Sequence, residues 1–390
     1  MKIHVCLVSD QVLANLIPAL MERPDRVVLA VSAEMSNRKL DTRLKKLLEK
    51  EGIAVEVHRN APDTGLIAIR EFALDLAGKI QTAYRGAEIV LNATGGTKLM
   101  ALGFVEFFRG IASKIIYTDT THRQIEALPD ETGRVPAPTA MTDVLDVPRY
   151  LAAQGLRYRS AASDDDERVS RIVQRKAAAK YLARHAGELD TFIGTLNRLA
   201  NLALGDADRL VAPRQGFDYA PHPHSSWAKA LRELANAGLL GWREGDVDVV
   251  FIDEEGTQFL RGGWLEEYAF HILRDERIFD ARLGVEAAAD AAGLTRNDFD
   301  VVAAHGNRLL LVECKTLRFN PNQNDNELAY KLDSLGKATR GLFGETWLLS
   351  GRPPTQQLEE RLRGARIRLV GPNELSRLRE LVQAWMRSAA

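Results

Sequence analysis

Between residues 2 and 118 short apolar runs alternate with stretches of helical period, and this alternation limits the fold more than any other feature of the chain. The runs Ile3–Val8, Val27–Val31, Ile53–Val57, Ile89–Leu91 and Lys114–Tyr117 have strand character, with helical segments between them. The clearest helix sets Leu40, Leu44, Leu47 and Leu48 on one stripe and stops at Gly52, a residue suited to a left-handed cap. Repeated strand and helix in this order predict an α/β domain with a parallel, doubly wound sheet.

The full chain of 390 residues is too long for one ordinary domain. Hydrophobic residues at 45% and charged residues at 27% exclude a collagenous, disordered or disulfide-framework chain. A balance of 52 Lys+Arg against 53 Asp+Glu gives no bulk basicity that would advertise nucleic acid. Cys6 and Cys314 stand far apart, so reduced thiols and a cytoplasmic location are expected. No apolar stretch reaches the ~18 residues of a membrane span.

Beyond Pro129 the alternation decays. Arg134–Pro138 and the polar run Ser160–Glu167 are linker candidates, because neither carries the apolar residues to pack. Residues 169 to 204 read as Ala- and Leu-rich helix, and Ser225 or Ser226 caps a further helix ending at Gly238. Leu239–Trp242, a turn at Arg243–Asp246 and Val247–Ile252 complete the helix, strand, turn, strand order of a winged helix. A mixed α/β block follows: helix Trp264–Leu273, a strand pair within Asp298–Cys314, helix Glu327–Leu342 and strand Thr346–Leu349. The expected division is 1–150, 165–258 and 259–390.

The segment Asn297–Lys315 is the most informative, because its register can be worked out. Gly306-Asn307 forms a two-residue hairpin loop, with Gly first as a type II′ turn prefers. His305 then pairs with Arg308, and stepping outward brings Asp300 opposite Glu313. Lys315 shares their face and Cys314 points away. Like charges directly opposite destabilise a strand pair, and the flanking Val301, Val302, Leu310, Leu311 and Val312 make burial worsen the repulsion. A divalent cation between the carboxylates would relieve it, and hard oxygen donors favour Mg²⁺ or Mn²⁺. The competing reading is a surface hairpin whose acids are solvated or neutralised by Lys315.

The spacing of Asp300, Glu313 and Lys315 resembles the PD-(D/E)XK restriction-endonuclease-like nucleases, although Phe299-Asp300 stands where the motif has Pro-Asp. The resemblance implies phosphodiester hydrolysis. Asp300 and Glu313 hold the metal, a helix glutamate, Glu266 in preference to Glu267, completes the site, and Lys315 positions the attacking water or stabilises developing charge.

After the fourth strand of the first block comes Asn92-Ala-Thr-Gly-Gly-Thr-Lys98, opening a helix that carries Leu99, Leu102 and Val105. Glycines let backbone N–H groups approach an anion, and the helix start adds partial positive charge. It is neither a Walker A loop nor a GxGxxG turn. The loop, with Thr94, Gly95, Gly96, Thr97 and Lys98, is similar to the ligand loop of CARF domains, Rossmann-like sensors of cyclic oligoadenylates in type III CRISPR immunity. Ser9, Asp10 and Gln11 occupy the other usual ligand position.

With both motif sets in order, the chain resembles the CARF-nuclease effectors called Card and Can proteins along nearly its full length. That implies a homodimer activated by cyclic tetra-adenylate, with single-stranded or nicked DNA and/or RNA as substrate. The alternative is a CARF and winged-helix transcription regulator with an inactive nuclease domain. The intact Asp300, Glu313 and Lys315 speak against it.

Overall fold

The computed structural model describes residues 1–130, 132–289, 296–317, 324–339 and 344–388. Its first sheet holds β1 (Lys2–Leu7), β2 (Arg26–Val31), β3 (Ala54–Arg59), β4 (Glu88–Asn92), β5 (Lys114–Asp119), β6 (Gln124–Ala127) and β7 (Thr139–Ala140) in the order β3-β2-β1-β4-β5-β6-β7. The first five are parallel, as the alternation predicts, and β6 and β7 add an antiparallel edge. The chain steps outward from β1 through β2 to β3 and then returns to place β4 on the other side of β1. Between β1 and β4 lies the switch point where open α/β sheets bind ligands.

The run Ser160–Glu167 is not an unpacked linker. Residues Leu156–Ala161 form β8, and Asp165 caps the helix Asp166–Gln174 through Glu167 N–H and Arg168 N–H. Asp164 accepts from Ala161 N–H and Tyr158 O–H and pairs with Arg282. The aspartates are there as caps and ion-pair partners, roles that need no apolar neighbours. Middle helices Lys176–His185, Asp190–Ala203 and Ser226–Asn236 follow. A small antiparallel sheet accompanies them, with β9 (Arg214–Gly216), β10 (Leu240–Gly241) and β11 (Asp248–Phe251) arranged β10-β11-β9.

The second large sheet adds β12 (Asp280–Ala289), β13 (Arg296–His305), β14 (Arg308–Lys315), β15 (Gly344–Ser350) and β16 (Arg368–Val370), in the order β16-β15-β14-β13-β12-β8. The strand that leaves the first sheet's region is thus the edge strand of the second. The helix expected over Glu327–Leu342 spans Asn324–Thr339, and the last residues of that expectation lie outside the described residues.

Alternation along β13 and β14 serves two cores. Val301, Ala303, Leu310 and Val312 pack with the middle helices and the helix Trp264–Asp275. Val302, Ala304, Leu309 and Leu311 pack with Val12, Leu16, Leu44 and Tyr150 from the first sheet's side. With both faces covered, these strands read as continuous apolar runs.

The hairpin register is as derived, with His305 opposite Arg308 and Val301 opposite Val312. The turn is not type II′. Gly306 and Asn307 have φ of 60° and 56°, and two left-handed residues define type I′, which Asn tolerates. Three of the four hydrogen-bonding positions of the Asn307 side chain are used: Oδ1 accepts from Val144 and Leu145 N–H at 3.0 and 3.2 Å, and Nδ2 donates to the Thr142 carbonyl at 2.8 Å. Its backbone N–H donates to Asp143 Oδ1 at 3.1 Å. Arg123, from the β5–β6 turn of the first sheet, lies against Gly306 and donates to the Met386 carbonyl. The closed end of the hairpin is therefore gripped by the first sheet and the segment leaving it.

Replacing Asn307 by Ala leaves buried Leu145 N–H without its partner and forces a Cβ residue into a left-handed turn without the asparagine's local bonds. It should cost about 2 to 4 kcal/mol in a denaturant titration. Asn307→Gly keeps the turn geometry and should lose less; equal losses would show that the backbone conformation contributes nothing.

Candidate nuclease site and sensor loops

The open end of the same hairpin carries the acids. Asp300 lies one step beyond the Val301–Val312 pair, and its Oδ2 accepts from Cys314 N–H at 2.6 Å. Glu313 is 5% exposed, and Lys315 Nζ sits 2.7 Å from its Oε1 and 3.9 Å from Asp300 Oδ2. Lys331, on the helix Asn324–Thr339, adds a second ammonium 3.5 Å from Glu313 Oε1. Glu313 is buried and Asp300 half-buried, so the acids are not solvated; lysine does neutralise them, with Lys331 joining Lys315. Sequence periodicity gave no sign of Lys331, because its partner lies on another element.

Glu266 and Glu267 diverge although adjacent. Glu267 is buried and takes a two-pronged ion pair from Arg175, with Nη2 at 2.6 Å from Oε1. Glu266 lines a cleft of about 760 Å³ with Lys315, Cys314 and Thr316. Desolvation, then the Asp300 charge, push the Glu266 carboxyl well above the usual carboxylate range. Desolvation and Glu313 push Asp300 the same way. Burial pulls the Lys315 ammonium down, but Glu313 and Asp300 outweigh it and the net shift is upward. The Cys314 thiol is fully buried and held far above its ordinary range by that burial, so it stays neutral and offers no thiolate.

Two glycines bring the helix start to the strand end. Gly262, at φ 146°, lies where any side chain would collide with Thr316 Oγ1, and Gly351 packs against Trp264 and Thr316. Asn197, from the middle helix Asp190–Ala203, donates to the Thr316 carbonyl at 2.8 Å and to Oγ1 at 3.2 Å. The strand end bearing Lys315 is thus fixed by two other elements.

Among the described residues no three Asp, Glu, His or Cys side chains already form a closed metal cage. The donors that do face one another, Asp300 and Glu313 with Glu266 beside them, are all carboxylate oxygens. That donor set suits Mg²⁺ or Mn²⁺, and the raised carboxyls of Asp300 and Glu266 are those a cation would draw back into the charged form.

In the first sheet, Ser9, Asp10 and Gln11 follow β1, and Ala93 to Thr97 follow β4, so both loops sit at the switch point. They touch. A side chain at Gly95 would collide with the Leu7 carbonyl and lie 3.3 Å from Ser9 Oγ, while Gly96 has φ 71°. Thr97 caps the helix Lys98–Phe108, accepting from Met100 N–H at 3.2 Å and donating to the Asp63 carbonyl. The Thr94 hydroxyl is already committed: it donates to Asn92 Oδ1 at 2.6 Å and accepts from Thr118 N–H at 2.7 Å. Asn92 Nδ2 in turn reaches the Ala14 carbonyl and Asn15 Oδ1, which ties β4, β5 and the helix Val12–Glu22 together. Thr94 thus shapes the loop, Asp10 meets Arg38 at 3.4 Å, and Lys98 is exposed at the helix start.

These two sites define a sensor domain of Rossmann-like type joined to an endonuclease domain. Residues 3–150 match the family model "Card1 CARF domain" and residues 253–389 match "Card1-like, endonuclease domain". The chain belongs to the Card1-like CARF-domain endonucleases. Similar solved structures include protein VC1899 from Vibrio cholerae, at 24% identity and TM-score 0.81 over 100% of this chain and 99% of that one. Can2 from Sulfobacillus thermosulfidooxidans, solved in complex with cyclic tetra-adenylate, is 24% identical with TM-score 0.75 over the whole of both chains. A type III CRISPR defence DNA nuclease activated by cyclic oligoadenylate is 18% identical with TM-score 0.52, over 91% of this chain and 47% of that one. At these identities the likeness is one of fold. No curated protein matches the chain by sequence.

The raised Glu266 carboxyl gives a stability test. A carboxyl whose folded value lies above its unfolded one makes the native state hold more protons, so stability falls as pH climbs from about 4 to 5 towards neutrality and above. Glu266→Gln should therefore raise the unfolding midpoint of the metal-free protein at pH 8, leave it unchanged near pH 4, and abolish cleavage. A midpoint that falls at pH 8 would show that the Glu266 charge is compensated.

Proposed function

We propose that the chain is a nuclease switched on by cyclic tetra-adenylate, hydrolysing phosphodiester bonds of DNA or RNA in type III CRISPR antiviral defence in the cytoplasm. One observation carries this reading: a single hairpin holds the facing acids at its open end and is gripped at its closed end by the sensor and the segment leaving it. A transcription regulator would have no use for inward-facing carboxylates balanced by Lys315. No described helix is long and apolar enough to cross a membrane.

In the proposed reaction Asp300 and Glu313, with Glu266 in support, hold Mg²⁺ or Mn²⁺, which supplies Lewis-acid stabilisation of the phosphate when bound. Lys315, drawn up by both acids, keeps its proton at neutral pH and presents a fixed positive charge. From the strand end it orients the attacking water and stabilises charge growing on the phosphate oxygens. Cys314 N–H, donating to Asp300, holds that carboxylate's direction.

At the sensor, backbone N–H groups of Gly95 and Gly96 and the Lys98 ammonium receive phosphates, with Ser9, Asp10 and Gln11 opposite. A four-fold ring suits a two-fold site, so two sensors pair across it. Leu99 and Leu102 follow the loop on its helix at 41% and 65% exposure, and Ile67 is 74% exposed on the neighbouring helix Leu66–Ala83. A second copy of the chain would cover this apolar surface. Pairing or ring binding reaches the nuclease through Arg123 and residues 142–145, which grip Gly306 and Asn307.

The test is a titration of cleavage rate with cyclic tetra-adenylate in Mn²⁺. Lys98→Ala should shift the curve to about ten- to a hundred-fold higher ligand, the worth of one charge-assisted contact, with an unchanged plateau. Superimposable curves would make the loop a simple turn, and wild-type activity independent of ligand would end the sensor reading. Asp300→Asn and Glu313→Gln should abolish cleavage while ring binding persists.

A further inference from the structure

The cleft beside Glu266 has two walls, and one of them belongs to the middle helices. Its lining includes Glu266, Lys315 and Thr316 on the nuclease side and Arg168, Asn197, Arg198 and Asn201 on the other. Most of its cations are spoken for. Arg175 pairs with Glu267 and Glu255, Arg261 with Asp208, and Arg352 with Asp190. Among the described residues Arg168 and Arg198 make no side-chain hydrogen bond or ion pair, and both are exposed. Arg168 still contributes to the field at Glu267. Two uncommitted guanidiniums therefore line the same cleft as Glu266 and as Lys315, a lysine that is already bound to acids.

We propose that Arg168 and Arg198 hold the phosphates of a single nucleic-acid strand that runs between the middle helices and the nuclease sheet, so that the middle region is half of the substrate site. The inference rests on the nuclease reading and adds where the strand lies and what binds it. Three further features fit. Asn197 locks the middle helix to the strand end through Thr316, so Arg198, the next residue, keeps a fixed relation to Lys315. Phe259 is the single aromatic among the lining residues and is 2% exposed, so no base-stacking platform faces the strand. Recognition through phosphates alone is tolerant of sequence. Glu266 shares the cleft with Arg168 and Arg198, a setting one flexible strand can follow, whereas a duplex keeps its paired strand beside every phosphate.

Binding is measured apart from chemistry, by anisotropy of a labelled mixed-sequence single strand, as DNA and as RNA, with full-length Glu313→Gln protein in the presence of cyclic tetra-adenylate. In that background Arg198→Ala and Arg168→Ala should each weaken binding about tenfold. Each should also flatten the slope of log affinity against log salt by about 0.7. Arg198→Lys should recover the salt slope and part of the affinity. The unfolding midpoint of Arg198→Ala should not move, because that side chain has no partner to lose. Unchanged affinity and salt slope in both variants, equal competition by intact duplex, or no strand binding at all would overturn the proposal. Strand binding that depends on both arginines, in a protein whose wild type cuts nothing with Mn²⁺ and ligand, would uphold it while ending the nuclease reading.

Discussion

Two carboxylates held together at the open end of a hairpin, largely out of water, cannot both carry charge without a cation. The rest of this structure is arranged around that requirement. Lys315 meets both acids and Lys331 meets Glu313, while the Cys314 N–H bonds Asp300. The neighbouring Glu266 is left with its proton held by burial and by Asp300. A sheet edge or a solvated loop would relax such a cluster. Here apolar packing on both faces of β13 and β14 prevents relaxation, so the charge must be met locally.

The same packing makes the second sheet a shared part. One face belongs to the core of the middle helices and the other to the core of the first sheet. Its edge strand β8 comes from the segment that leaves the sensor. Packed cores transmit displacement because they compress little. In the proposed coupling, a shift of residues 142–145 or of Arg123 would act first on Gly306 and Asn307, at the closed end of the strands whose open end holds the acids.

Much of this was legible in the sequence, for physical reasons that differ between elements. The strands β1 to β5 announce themselves by apolar runs with helical period between them. The hairpin register followed from a two-residue turn, and it holds from His305–Arg308 to Val301–Val312 although Asn307 makes that turn type I′. By contrast, β8 has few apolar residues and β12 is broken by left-handed Gly284, so neither shows a clear strand pattern. The acidic run Asp164–Glu167 looked unpackable because capping and ion pairing require no hydrophobicity. Glu267 is occupied by Arg175, 92 residues away in the chain, and the commitment of the Thr94 hydroxyl depends on Thr118 from a neighbouring strand. Contacts of that range leave no local signature.

The central claim is that the sensor acts on the catalytic acids through this hairpin. Amide hydrogen exchange of the intact protein, with and without cyclic tetra-adenylate, tests it most directly. The account predicts altered protection at the loops 9–11 and 93–98, at residues 142–145 with the hairpin turn, and at the Cys314 amide that bonds Asp300. Changes confined to the two sensor loops in a protein whose cleavage has been switched on would contradict it.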